Sequence, residues 1–173
     1  MKKIILLFII GSVLILLTGC GIFNLNGWIM PDDGEFLACI GELSTPQKIG
    51  DYMLENFTYE AHNFYAPDPY TLWKTKKGDC NDMVTFSTWV ADYHGYKTWQ
   101  IEIFYSGSIY KHWIAVYLED NYSITIVQYY YSDFDTFKKI VEFNNKLVLY
   151  NKKWSKYIVY DYDMDIVETG CNN

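Results

Sequence analysis

The chain predicts an α+β fold, and three observations carry that prediction. Apolar residues recur at helical spacing through 45–57, 70–77 and 80–93 in the first half. Runs rich in Ile, Val, Tyr, Phe and Trp follow at 97–105, 112–118 and 122–130. The links between those runs, Ser106-Gly107-Ser108 and Glu119-Asp120-Asn121, are short enough for antiparallel hairpins. Helices first and a mostly antiparallel sheet afterwards is an α+β order.

The elements follow in chain order. Lys2 and Lys3 precede an almost wholly apolar run from Ile4 to Leu16, closed by Leu17-Thr18-Gly19-Cys20. That pattern reads as a secretory signal over residues 1–19. Its ending resembles a bacterial lipobox, which implies a lipid on Cys20 and a mature chain starting there, held at the extracytoplasmic face of the membrane. An uncleaved N-terminal anchor is the alternative. Residues 20–44 contain Gly27, Pro31, Gly34 and Gly41 without a long period, and read as a tether and irregular lead-in. The folded domain is then expected over 45–173.

Thr45 suits an N-cap and Pro46 a first helical position, with Ile49, Met53 and Phe57 forming an apolar stripe. Ala66-Pro67-Asp68-Pro69 is a turn, and Tyr70 to Lys77 a short helix. The next helix places Met83, Phe86, Val90 and Tyr93 on one face and stops at Gly95. After the three strands, helical spacing returns over 132–143, and strands are expected at 146–150 and 156–162. Asp161, Asp163 and Asp165 alternate like a calcium loop, but Ile166 stands where its glycine belongs; a solvated strand edge explains them.

Composition excludes some functions. The net charge is −7, and loss of residues 1–19 removes two lysines and no acid, giving −9. So acidic a body, with no arginine among its 173 residues, is unsuited to nucleic acid or to forked recognition of phosphate. Of the four cysteines, Cys39 and Cys171 lie near the two ends of the mature chain. Outside the cytoplasm they either form a bridge tying the termini together or remain two thiols.

Gly78-Asp79-Cys80-Asn81-Asp82 sets a thiol at a helix start, behind a glycine. A thiol becomes a nucleophile when its thiolate is stabilised, and a helix N-terminus beside an imidazole does that. His112 opens the strand His112-Trp113-Ile114-Ala115-Val116-Tyr117, a rigid element able to aim a ring. His94 lies about four turns along the Cys80 helix, out of reach, and His62 has no regular element around it. The third member is Gln128, whose amide oxygen accepts an imidazole N–H and fixes the tautomer, though it stabilises an imidazolium less than a carboxylate does; the alternative is a surface strand residue. Asp79 and Asp82 read as helix-end stabilisers. Trp73 either lines a substrate groove or packs in the core.

Lys77-Gly78-Asp79-Cys80-Asn81-Asp82, the helix ending at Gly95-Tyr96, and His112-Trp113-Ile114-Ala115-Val116-Tyr117 together resemble the bacterial transglutaminase-like superfamily. The resemblance spans roughly residues 70–131. It implies a papain-like core, with the nucleophile helix packed on the sheet. It implies further that the Cys80 thiolate attacks an amide carbonyl, that His112 serves as base and acid, and that hydrolysis is commoner than transamidation. The family's third residue is an aspartate; this chain offers Gln128 in its place. No metal or organic cofactor is implied, and the partners expected are a peptide or protein substrate, including cell-wall peptide, and the membrane through the lipid. Two rivals stand beside it. An NlpC-type cell-wall peptidase shares the Cys-helix and His-strand plan, but its Asp-Cys-Ser-Gly signature is missing. A non-catalytic envelope binding lipoprotein would use the aromatic surface, such as Tyr129-Tyr130-Tyr131, to stack on sugar or peptide.

Overall fold

The computed structural model describes residues 30–62, 68–119, 122–125, 129–147 and 153–172. Asp32–Asn173 form one compact unit. Cys20 and the signal lie outside the described residues, as does Gln128. Among the described residues, no helix is long and apolar enough to cross a membrane.

Two helices, α1 (Gly34–Glu42) and α2 (Pro46–Asn56), lead into a short strand β1 (Thr58–Tyr59). Then come α3 (Pro69–Thr75), β2 (Lys77–Gly78) and α4 (Cys80–Tyr93). The sheet strands are β3 (Thr98–Tyr105), β4 (Lys111–Leu118), β5 (Tyr122–Thr125) and β6 (Tyr129–Phe134). Helix α5 (Phe137–Leu147) crosses to β7 (Trp154–Asp161) and β8 (Ile166–Cys171). The six strands run in the order β6-β5-β4-β3-β7-β8, every neighbouring pair antiparallel. The α+β class is therefore as the sequence predicts, with a small parallel pair, β1 and β2, added to it.

The central strand explains its own composition. Trp99, Ile101, Ile103 and Tyr105 point to one face, where they pack with Ile114, Val116, Tyr157 and Val159 and with Phe137, Ile140 and Val141 of α5. Thr98, Gln100 and Glu102 point to the other face, and all three are buried too. That second face carries α4: the Gln100 amide donates to Thr88 Oγ1 at 3.2 Å. Helices thus cover both faces, so β3 is buried on both sides instead of alternating in and out. Behind α4, Phe36, Ile40, Ile49, Leu72 and Phe86 are fully buried, each contributing about 1.5–3 kcal/mol against exposure.

Three expectations are corrected. Residues 34–42, read as irregular lead-in, form helix α1, because Asp33 accepts from the N–H groups of Glu35 and Phe36 at 3.0 and 3.1 Å and Phe36 and Ile40 anchor it. The helix expected from 132 starts at Phe137, where Thr136 Oγ1 accepts the Lys139 N–H; the preceding aromatic run continues as β6. Helix α5 then extends to Leu147, overlapping the strand expected at 146–150, of which 148–150 lie outside the described residues. The alternating aspartates close the β7–β8 turn, with Asp161 Oδ1 accepting the N–H groups of Asp163 and Asp165 at 3.1 and 2.9 Å.

Candidate functional site

The site is built at the N-terminal end of α4. Asp79 is the N-cap, and its Oδ1 accepts the N–H groups of Asn81 and Asp82 at 2.9 and 3.3 Å. Asp82, in the first turn, reaches back to the Asp79 N–H at 2.7 Å, so the cap is reciprocal. This closure requires Gly78. A Cβ there would lie 2.5 Å from Asp82 Oδ2 and 2.8 Å from Leu72 Cδ1. The sequence motif is therefore a packing device as well as a thiol-bearing turn: glycine makes room, and two aspartates pin the first turn.

Cys80 is the first residue of that turn and is half-buried. Burial pushes its thiol up to about 11, and the neighbouring Asp79 charge pushes the same way, against the backbone N–H groups of Trp113, Cys80 and Asn81, which favour the thiolate. Trp113, whose N–H favours the thiolate, is the third residue of β4 and follows His112 in the chain.

His112 itself is placed differently from the simple expectation. It pairs with Ile103 in the β3–β4 ladder, while Trp113 pairs with Glu102. Opposed residues share a face, so the His112 ring leaves β4 on the α5 side and Trp113 on the α4 side. The Trp113 ring stacks on Tyr160 at 5.6 Å, as that register requires. His112 Nε2 is buried with no hydrogen-bond partner, and burial alone pulls the imidazole down to about 4. No hydrogen bond joins the ring to the Cys80 sulfur among the described residues. The histidine strand bears on the sulfur through the Trp113 N–H, and the structure does not set the imidazole beside the sulfur.

The other expected residues divide clearly. Trp73 packs against Phe36 at 5.3 Å and Tyr70 at 6.0 Å, beneath the Lys76 ammonium at 4.4 Å, and so belongs to the aromatic layer joining α1 to α3. Cys39 and Cys171 are both free thiols. Cys39 lies on α1 against Tyr52, and Cys171 is exposed on the edge strand β8, paired with Lys156; the terminal bridge is not formed. His94 is spent structurally at the far end of α4, with Nε2 2.7 Å from the Ile40 carbonyl. The side chains of Tyr129, Tyr130 and Tyr131 lie outside the described part of the structure.

One residue was passed over by the sequence reading. His62 Nε2 lies 2.5 Å from Asp82 Oδ2. The chain gets there because β1 runs parallel to β2, and the Glu60 N–H continues the pairing by donating to the Gly78 carbonyl at 2.9 Å. Burial raises the Asp82 carboxyl, opposed by His62 and the Asp79 N–H. The partners are twenty residues apart, and a two-stranded parallel contact between short loops leaves no periodic signal.

No family model matches the chain, and no curated protein matches it.

Proposed function

We propose that the protein is a lipid-anchored, extracytoplasmic thiol enzyme of transglutaminase-like type that acts on amide bonds of peptides or proteins, with hydrolysis ahead of transamidation. The observation that supports this most is that the Trp113 N–H, at the start of β4, favours the thiolate of Cys80, at the start of α4. That influence sets the start of the nucleophile helix near the start of the histidine strand, as a papain-like core needs. Burial favours the neutral thiol and the neutral imidazole, so the reaction runs by general base catalysis in place of a standing ion pair. The sulfur attacks the carbonyl carbon as its proton passes to His112. The proton goes on to the departing amine as the C–N bond breaks. Water then cleaves the thioester and restores the thiol. For the first step the imidazole must come round the edge of β4, where β5 pairing among the described residues ends at Ala115. Gln128 is proposed to orient that ring.

Trapping tests this directly. Incubation with cell-envelope peptides and hydroxylamine yields peptide hydroxamates from the native chain, detected by mass spectrometry, and none from Cys80→Ala. Equal yields from both would overturn the proposal. A second reading is favoured by the register of His112 and the raised thiol: a binding lipoprotein of the same architecture without turnover. It predicts peptide binding by calorimetry with no hydroxamate at all.

A further inference from the structure

We propose that His62, Asp79 and Asp82 form a binding site for a divalent transition-metal cation of the zinc, cobalt or manganese kind. One ligand atom from each residue lies within 4.8 Å of the others, and the set combines imidazole nitrogen with carboxylate oxygen. That mixture suits borderline cations, whereas calcium and magnesium prefer oxygen alone.

A second observation points to a ligand. The Asp82 side chain has no exposure to solvent, yet its Oδ1 is buried without a hydrogen-bond partner. An orphaned carboxylate oxygen costs free energy unless something satisfies it, and a metal bound there would do so. The division of labour within the two carboxylates makes this feasible. Asp82 Oδ2 holds the Asp79 N–H and Asp79 Oδ1 holds the first-turn N–H groups, so coordination through Asp82 Oδ1 leaves the helix cap in place. His62 has about a quarter of its side chain exposed, which opens the site to solvent on one side.

Charge decides the sign of the interaction. The helix end contributes about half a positive charge, and two carboxylates outweigh it. Among the described residues the positive group set against Asp82 is the His62 imidazole, while the Lys77 ammonium pairs with Glu60 at 3.1 Å. A metal would replace the proton shared between His62 Nε2 and the Asp82 carboxylate. Metal bonds of about 2.0–2.2 Å to each residue require the ring to shift outward by a fraction of an ångström. His62 lies beyond the end of β1, outside any regular element.

The test uses the full chain, stripped with a chelator and titrated at neutral pH with cobalt(II) chloride, followed by visible absorption, and with zinc chloride, followed by calorimetry. One metal per chain is expected, with cobalt d–d bands. Affinity is expected to fall at least about thirtyfold in His62→Gln and in Asp82→Asn, and to stay unchanged in Asp163→Asn on the β7–β8 turn. Because Asp82→Asn also weakens the helix cap, circular dichroism accompanies it, and His62→Gln, outside any helix, carries the conclusion if that variant unfolds. Absence of stoichiometric binding would overturn the proposal, and so would binding that survives His62→Gln. Binding that depends on Cys80 and not on His62 would overturn it as well. None of these readouts requires turnover, so failure here leaves the thiol chemistry to be judged separately.

Discussion

The backbone N–H of Trp113 favours the thiolate of Cys80, an influence that the third residue of β4 exerts on the first residue of α4. The consequence is a thiol favoured as thiolate by backbone groups yet kept protonated by its surroundings, and several measurable properties follow from it.

The first is reactivity. With the thiol raised to about 11, the thiolate fraction at neutral pH is small, while Cys171 is exposed. Peptide-resolved alkylation with iodoacetamide is expected to label Cys171 at least about tenfold faster than Cys80 at pH 7, with Cys80 labelling rising steeply above pH 9. Equal rates at pH 7 would show that the thiol is neither buried nor raised.

Acid stability reports on His112. Its imidazole is lowered from 6.5 to about 4, so the unfolded chain binds the extra proton first. The stability this neutral ring confers is complete above about pH 6.5 and is lost as pH falls toward 4, at about 1.4 kcal/mol for each unit between the two values. Urea midpoints across that window are expected to fall with acidification in the native chain and to flatten in His112→Gln. An unchanged slope in the variant would place the ring in solvent.

Gly78 is a packing prediction. A methyl group there meets Asp82 Oδ2 at 2.5 Å and Asp82 Cβ at 2.8 Å, so Gly78→Ala is expected to cost about 1–3 kcal/mol. Asp79→Ala removes the N-cap and is expected to cost about 0.5–2 kcal/mol. The two share one capping box, so the double variant should lose less than the sum of the two in urea denaturation. Strict additivity would mean that the cap does not depend on the glycine.

What the sequence made legible was whatever had a period or a cap. Thr45 and Pro46 announced α2, the spacing of Met83, Phe86 and Val90 announced α4, and β-branched and aromatic runs announced β3 and β4. Helix α1 was hidden because nine residues carrying two glycines, Gly34 and Gly41, look like a tether, and its true signals are the Asp33 cap and two buried anchors. Strand β8 was hidden because its residues are mostly exposed or half-exposed and show no apolar alternation. In the site, Cys80 at the helix start was readable from Gly78 and the flanking aspartates. The face of His112 was not, because a single residue of register decides it. His62 could be found only in space, since its partner Asp82 lies across a parallel contact of two short strands.

Glu102 offers a test of the polar face beneath α4. Its carboxylate is buried and receives Lys111 Nζ at 2.7 Å and Tyr160 Oη at 3.1 Å. Lys111→Met removes the charged partner and is expected to cost about 1–3 kcal/mol, with most of it recovered by adding Glu102→Gln. A thermal-melting cycle measures the coupling; no recovery would mean that the lysine stem, not its charge, supports the sheet.

The proposed chemistry passes through a covalent intermediate on one atom, and peptide mass spectrometry of acid-quenched reactions measures it most directly. The native chain mixed with envelope peptides is predicted to carry an acyl mass on the Cys80 peptide, absent from Cys80→Ala and diminished in His112→Ala. Turnover that persists in Cys80→Ala, or an adduct found on Cys171 while Cys80 stays unmodified, would contradict the assignment.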